Sequence, residues 1–255
     1  MRVSMIVSDL DGTLLRSDKT ISDYTVSIFE CCRARGIKLV FATGRPIRAV
    51  TAYHRRIPCD GAVYHNGAVA ENDGVVLLRC GIPPEATNDI LSAVLKVDPA
   101  ARVCLEIEDR LYGNFDASDI WPGVETVYTE FTDLPRLFAD KILLPMSTKE
   151  ELDAAARVLP REYYIQMSEN TVGMIMNRGA TKRNAVRALS ARFDIPMSQI
   201  AAFGDDYNDV EMLRDCGVGV AVENAIQEAR DAAGFVCGAN DSDGVARWIE
   251  ENILL

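Results

Sequence analysis

The sequence has only two histidines in 255 residues, and neither stands in a spacing with another metal-ligating or nucleophilic residue. His54 and His65 therefore read as non-catalytic, which leaves acid–base chemistry to carboxylates. Seven cysteines are an odd number and no two form a C-x-x-C pair, which argues against a zinc or redox site and for reduced thiols packed as small hydrophobes. No apolar run approaches the roughly 20 residues needed to cross a bilayer. The apolar stretch at the N-terminus is cut short by Asp9 and Asp11, unlike a signal peptide. The expectation is a soluble, cytoplasmic protein. Positive charge is also scarce: 27 basic residues against 38 acidic ones give a net charge of −11 and a pI near 4.7. A nucleic-acid surface must cluster Lys and Arg against phosphates, so nucleic acid is not an expected partner. A small anionic substrate needs only a locally positive pocket and stays open.

The rest of the composition, 48% hydrophobic and 25% charged, is that of an ordinary globular chain and rules out disorder, collagen and coiled coil. The length suits one large domain or two small ones. Val3–Leu10, Ile37–Ala42, Gln199–Phe203 and Gly217–Val222 are short apolar runs suited to strands buried on both faces. Helical patterns separate them: one opens at Ser22 and ends before Gly36, one is entered at Pro46, and others span Thr181–Phe193, Asn208–Asp215, Asn224–Ala233 and Gly244–Asn252. Ala62–Ala70 and Val75–Leu78 flank an Asp73-Gly74 hairpin signal. The middle of the chain differs. After a helix from Pro83-Pro84, Arg102–Glu108 alternates apolar and polar residues, the mark of a half-exposed antiparallel strand. Strands at Lys141–Ser147, Tyr163–Ser168 and Val172–Asn177 follow, with a helix at Thr148–Leu159 between. The fold class expected is α/β: a Rossmann-like parallel-sheet core from residues 1–81 and 178–255, with an inserted α+β cap, residues 82–177, above the carboxyl edge.

Chemistry concentrates where the buried strands end. Strand one runs into Asp9-Leu10-Asp11-Gly12-Thr13, strand two into Thr43-Gly44-Arg45, and a late strand into Gly204-Asp205-Asp206-Tyr207-Asn208-Asp209. The carboxyl ends of parallel strands line the ligand crevice of such sheets. Four or more acids at one edge would repel each other unless a cation sat among them, and an oxygen-only donor set favours Mg²⁺. Asp9 and Asp11, two apart on an extended segment, could emerge on one side and divide the roles of nucleophile and general acid/base. Lys182 offers a point positive charge for a phosphoryl transition state.

These segments resemble, in order, the four motifs of the haloacid dehalogenase superfamily: Asp9-Leu10-Asp11-Gly12-Thr13-Leu14, Thr43-Gly44-Arg45-Pro46, Lys182, and Gly204-Asp205-Asp206-x-Asn208-Asp209. The inserted module, and the tail segments Val222-Glu223-Asn224-Ala225 and Asp243-Gly244-Val245-Ala246, are similar to the Cof-type sugar-phosphatase branch. The resemblance implies an Mg²⁺-dependent phosphatase that hydrolyses a small phosphomonoester, a sugar phosphate or a phosphoglycolate-like metabolite, through an aspartyl-phosphate intermediate. Asp9 would attack phosphorus, and Asp11 would protonate the leaving group and then activate water. Asp9, the backbone carbonyl of Asp11 and Asp205 would hold the metal. Thr43, Gly44, Lys182 and Asn208 would bind phosphoryl oxygens, and Asp209 would orient Lys182 or a metal-bound water. Asp206, read from its place before a helix, either complements the helix dipole or supports the ligands from behind. Arg183 departs from the family, which often has glycine there, and puts the local helix geometry in question.

Arg45 reads equally as a substrate contact or a salt bridge, and Asn66-Gly67 as a leaving-group contact or a turn. Tyr112 and Trp121 read as cap core. Two other functions stand beside hydrolysis: a phosphomutase on the same scaffold, and a non-catalytic phosphate sensor built on a phosphorylatable aspartate.

Overall fold

Short runs of β-branched and large apolar residues with no polar face become the middle of a sheet. The computed structural model describes residues 2–168 and 171–255. The chain divides into two compact units, Met1–Leu78 with Thr181–Leu255, and Arg79–Ala180. In chain order the first unit contributes β1 (Met5–Ser8), α1 (Asp23–Ala34), β2 (Lys38–Ala42), α2 (Thr51–Arg56), β3 (Gly61–Tyr64), β4 (Val69–Asn72) and β5 (Val75–Arg79). The second holds α3 (Pro84–Val97), β6 (Cys104–Ile107), β7 (Arg110–Gly113), β8 (Thr126–Tyr128), β9 (Lys141–Pro145), α4 (Lys149–Val158), β10 (Tyr163–Ser168) and β11 (Val172–Asn177). The first unit then resumes with α5 (Lys182–Phe193), β12 (Ile200–Gly204), α6 (Val210–Asp215), β13 (Val218–Val222), α7 (Gln227–Ala232), β14 (Phe235–Cys237) and α8 (Gly244–Ile249).

The first unit is built on an eight-stranded sheet in the order β14-β13-β12-β1-β2-β3-β4-β5. β1 runs parallel to both neighbours, β12 and β2, and β1, β12 and β13 are buried along their whole length. Helices on this sheet close a core that includes Phe29 of α1, Leu189 of α5 and Phe203 of β12, the last with its ring centroid 5.6 Å from that of Trp248 on α8. Local signals set the helix ends. Ser22 caps α1 by accepting the Thr25 N–H at 3.0 Å, and Thr148 and Glu151 form a capping box at α4.

Several expectations needed correction. Ala62–Ala70 is not one strand: β3 and β4 are antiparallel and joined by His65-Asn66-Gly67, all three at positive φ. The turn reading of Asn66-Gly67 is the one that forms, and the apolar residues on either side concealed only that it parts two strands. The hairpin at Asp73-Gly74 does form, between β4 and β5. The stretch after Pro46 is a 3-10 turn at Ile47–Ala49 before α2, and Asn224 lies in a turn ahead of α7. β6 was expected to be half exposed, yet all four of its residues are buried, Glu106 included. It is an inner strand of a six-stranded sheet, between β9 and β7. One face lies on a core of Ile90, Leu105 and Ile142, with Tyr112 packed against it. The other lies under a smaller cluster of Cys104, Leu111, Leu143 and Val172, against which Trp121 packs. β7 and β8 were not anticipated.

Gly67 combines φ +107° with backbone on its open side, since a Cβ there would meet the Thr181 nitrogen at 2.8 Å. Gly74 has φ +76° but no atom within 4 Å of such a Cβ. Gly74→Ala should therefore cost only the left-handed penalty, about 1–2 kcal/mol, whereas Gly67→Ala adds a backbone collision and should cost roughly 3 kcal/mol or more. Urea unfolding midpoints of the two variants measure the difference, and equal losses would contradict the packing of this turn on the start of α5.

Candidate active site

Three strand ends converge at one edge of the large sheet, because β1 lies between β12 and β2 and parallel to both. Asp9 follows β1 and is fixed by its own N–H, which donates to the Phe203 carbonyl at 3.0 Å. Thr181 caps α5 by accepting the Asn184 N–H at 3.1 Å, which makes Lys182 the first residue of that helix. The Lys182 side chain is 0% exposed, and its Nζ donates to Asp9 Oδ1 and to Asp209 Oδ1, both at 2.7 Å. The other Asp209 oxygen accepts the N–H groups of Asp205 and Asp206 at 3.1 and 3.3 Å. Asp205 Oδ1 accepts the Thr13 hydroxyl at 2.7 Å.

One carboxylate oxygen from each of Asp9, Asp205 and Asp209 lies within 4.8 Å of the others. Three acids thus face one ammonium. Burial pushes the Asp9 carboxyl well up; Lys182 pulls it back, while Asp209 and Asp205 add to the rise. Burial, followed by the Asp209 charge, pushes Asp205 up to about 6. Burial alone would lower Lys182, but Asp209 and Asp9 outweigh it and hold the ammonium above its ordinary range. Asp209 spends both oxygens on Lys182 and backbone, so among the described residues the second oxygens of Asp9 and Asp205 are those left for a cation. Hard oxygen donors with uncompensated negative charge fit Mg²⁺. Glycine is needed beside them: a Cβ at Gly12 (φ +77°) would meet Asp205 Cγ at 2.9 Å.

Asp11 stands apart from this cluster. β1 ends at Ser8, and Leu10–Leu15 is a tight loop in which the N–H groups of Thr13, Leu14 and Leu15 all donate to the Leu10 carbonyl. Asp9 and Asp11 are therefore not on one extended segment. The Asp11 carboxylate accepts Arg45 Nε at 2.5 Å, Arg45 Nη2 at 2.6 Å and Lys19 Nζ at 2.7 Å. Burial pushes its carboxyl up, but the hydrogen bonds from Arg45 and Lys19, with their charges, prevail and hold it below the usual range. Arg45 is a salt-bridge residue here.

Thr43 is buried, and its hydroxyl oxygen accepts the Arg45 N–H at 3.1 Å. Gly44 follows it beside Asn66, whose Oδ1 accepts Asn208 Nδ2 at 2.9 Å. Asp206 is exposed and caps the next turn by accepting the Tyr207 N–H at 2.7 Å. Arg183 pairs with Glu211 at 3.3 Å and Asp215 at 3.5 Å on α6, which accounts for its charge beside the motif lysine. The tail segments fasten the Asp9–Asp11 loop: Asn224 Nδ2 donates to the Gly12 carbonyl at 2.7 Å, and Arg16 pairs with Asp243 at 2.7 Å. Lys19 escaped sequence reading. Its reach to Asp11 depends on a turn closed by Lys19 N–H to Arg16 O and Arg16 N–H to Thr20 O, which shows in sequence only as a polar stretch. Thr13 stood in the first motif with no task assigned to it.

Residues 6–249 match the model of the haloacid dehalogenase-like hydrolases. The chain belongs to that family, in its Cof-type branch, and is a hydrolase with an α/β fold on a mixed sheet. A 5-amino-6-(5-phospho-D-ribitylamino)uracil phosphatase of Bacillus subtilis is 27% identical over 98% of each chain. A phosphatase of the same name from Escherichia coli is 24% identical over 98% of this chain and 96% of its own. A solved structure from Thermotoga maritima superposes with a TM-score of 0.86 at 27% identity, covering 98% of this chain and 97% of that one. A sugar phosphatase of HAD subclass IIB gives 0.85 at 23% identity over 99% and 100%, a likeness of fold. No helix among the described residues is long and apolar enough to cross a membrane.

Proposed function

We propose that this hydrolase is an Mg²⁺-dependent phosphatase of a small phosphomonoester and works through an aspartyl-phosphate on Asp9. The observation that carries the reading is the buried Lys182 ammonium held 2.7 Å from both Asp9 and Asp209, with Asp205 beside them. Lys182 places its charge against Asp9 Oδ1 and so fixes the orientation in which the carboxylate meets the cation and an incoming phosphorus. Two of its three N–H donors are used, so the third is available to a phosphoryl oxygen. The Thr43 hydroxyl, accepting from Arg45, retains its own proton to donate; the Gly44 backbone and the second N–H of Asn208 complete the proposed cradle. Mg²⁺, bound by Asp9, Asp205 and the Asp11 backbone carbonyl, would neutralise the carboxylates and the arriving dianion. Asp9 bonds to phosphorus as the bond from phosphorus to the leaving oxygen breaks, and Asp11, which has to take up a proton before this step because Arg45 and Lys19 favour its ionised form, passes that proton to the departing oxygen. Asp11 then takes a proton from water as the water oxygen bonds to phosphorus. The bond from phosphorus to Asp9 breaks and returns its electron pair to Asp9. Both phosphatases named above are named for a phosphate ester on a sugar-alcohol chain, which supports phosphorylated sugars and polyols as the substrate class.

The test is a panel of phosphorylated metabolites assayed for released phosphate. Mg²⁺ should support turnover of at least one ester without an activator, and chelator should abolish it. Isomerised phosphosugar with negligible phosphate would favour a mutase, and stable phosphorylation without turnover a sensor. A companion measurement follows from Asp205. In the metal-free fold its carboxyl lies at about 6, above the ordinary 3.8, so its contribution to stability is full below that ordinary value and lost as pH rises through 6. Mg²⁺ competes with this proton. The rise in melting temperature caused by Mg²⁺ should therefore grow between pH 5 and 7, and a rise independent of pH would place the ion elsewhere.

A further inference from the structure

The Asp11 carboxylate is held more completely than a loop carboxylate needs to be. Arg45 grips it with two parallel N–H groups at 2.5 and 2.6 Å, and Lys19 adds a third donor at 2.7 Å. Such a fork fixes the plane of a carboxylate as well as its position. Arg45 is itself held from behind. Its backbone N–H reaches the Thr43 hydroxyl at 3.1 Å, its carbonyl accepts the His65 N–H at 3.1 Å, and its guanidinium lies 5.3 Å from the Tyr53 ring centroid with Nη1 3.4 Å from the Tyr53 hydroxyl. Lys19 reaches Asp11 from a left-handed position, φ +64°, in the turn Arg16–Thr20. An unfavourable backbone conformation that delivers a charge to a carboxylate is the kind of strain found at working sites.

We infer that Arg45, supported by Tyr53, is a positioning residue: it acts on the reaction only through Asp11, by holding the ionised carboxylate in the orientation from which it accepts a proton from the water that attacks the phosphoenzyme. Lys19 is the weaker second arm, its side chain being 52% exposed. The inference rests on the proposed role of Asp11. Three accounts of Arg45 give different results: it acts through Asp11, it binds the phosphoryl group directly, or it only stabilises the loop.

A double-mutant cycle separates them, read as kcat and KM for p-nitrophenyl phosphate with Mg²⁺. Asp11→Asn should lower kcat by about 10²–10⁴-fold, as expected for loss of a positioned acid/base. Arg45→Gln should lower kcat by about tenfold or more with KM within threefold of wild type, since orientation and not binding is lost. The double variant should match Asp11→Asn within about twofold. Lys19→Met should show a smaller fall that also disappears beside Asp11→Asn. Losses that multiply in the double variant, or a KM that rises with kcat unchanged, would overturn the inference and assign Arg45 to the phosphoryl group. An unchanged kcat in Arg45→Gln would overturn it as well. If Asp11→Asn itself keeps full activity, the failure lies in the role of Asp11 and not in that of Arg45. Melting curves establish that each variant folds; should Arg45→Gln fail to fold, Arg45→Lys, which keeps a donor and the charge, carries the same cycle.

Discussion

Asp9→Asn should abolish phosphate release and phosphoenzyme formation together, while leaving the metal-free protein at least as stable as wild type. The two halves of this result have different causes. Asparagine keeps the shape and one acceptor oxygen for Lys182 but offers no carboxylate to attack phosphorus, so turnover should fall by more than about 10⁴-fold, the scale seen when a covalent nucleophile is removed. Stability should not follow, because the Asp9 carboxyl is pushed well up, first by burial and further by Asp209 and Asp205. A group that resists ionisation where it stands costs the fold free energy at neutral pH, and functional sites commonly carry such costs. Acid-quenched intact mass of wild type during turnover should show one added phosphoryl group, and Asp9→Asn should show none. Melting curves with and without Mg²⁺ complete the measurement: the ion should raise the wild-type melting temperature and leave the variant almost unmoved. A phosphoryl group still captured by Asp9→Asn would place the nucleophile on another residue.

How far these residues could be read from sequence depends on what fixes each of them. Asp9, Asp205 and Asp209 flank strands so uniformly apolar that burial on both faces was the simplest reading. Parallel pairing of β12 with β1 then brings their ends together. Lys182 could be placed at a helix start because the helical pattern Thr181–Phe193 opens there, and Thr181 is its cap in the fold. The partners of Asp11 were not legible, since Arg45 and Lys19 reach it from 34 and 8 residues away and no local pattern codes for a salt bridge. Arg45 was accordingly balanced between substrate and structure. Asn66-Gly67 stood open between a leaving-group contact and a turn, and the turn forms; that it splits Ala62–Ala70 into two strands was not legible, because His65 and Asn66 hold positive φ within an otherwise apolar run. β6 misled by its alternation. Cys104 on its second face belongs to a further cluster contributed largely by residues after β7, and Glu106 is buried as well; a period of two cannot show what covers the second face.

Lys182→Met tests whether the buried ammonium serves architecture, chemistry or both. The substitution keeps most of the side-chain volume and leaves Asp9 and Asp209, both almost fully buried, facing each other and Asp205 without a counter-charge. Breaking a buried ion pair from one side typically costs about 3–5 kcal/mol, which in a chain of this length lowers the melting temperature by roughly 10 °C or more. Turnover should vanish with it, so the single variant alone does not separate a collapsed site from a missing donor. Adding Asp209→Asn does. Asparagine still accepts the Asp205 and Asp206 N–H groups with its oxygen, and it withdraws the charge that Lys182 had balanced. The Lys182→Met/Asp209→Asn protein should recover a large part of the lost stability, because a buried pair replaced on both sides leaves fewer charges unpaired. It should recover no phosphatase activity, because the positive charge against the transferring phosphoryl group is still absent. Return of activity along with stability would mean that Lys182 serves only to neutralise its neighbours, and would remove it from the proposed phosphoryl cradle.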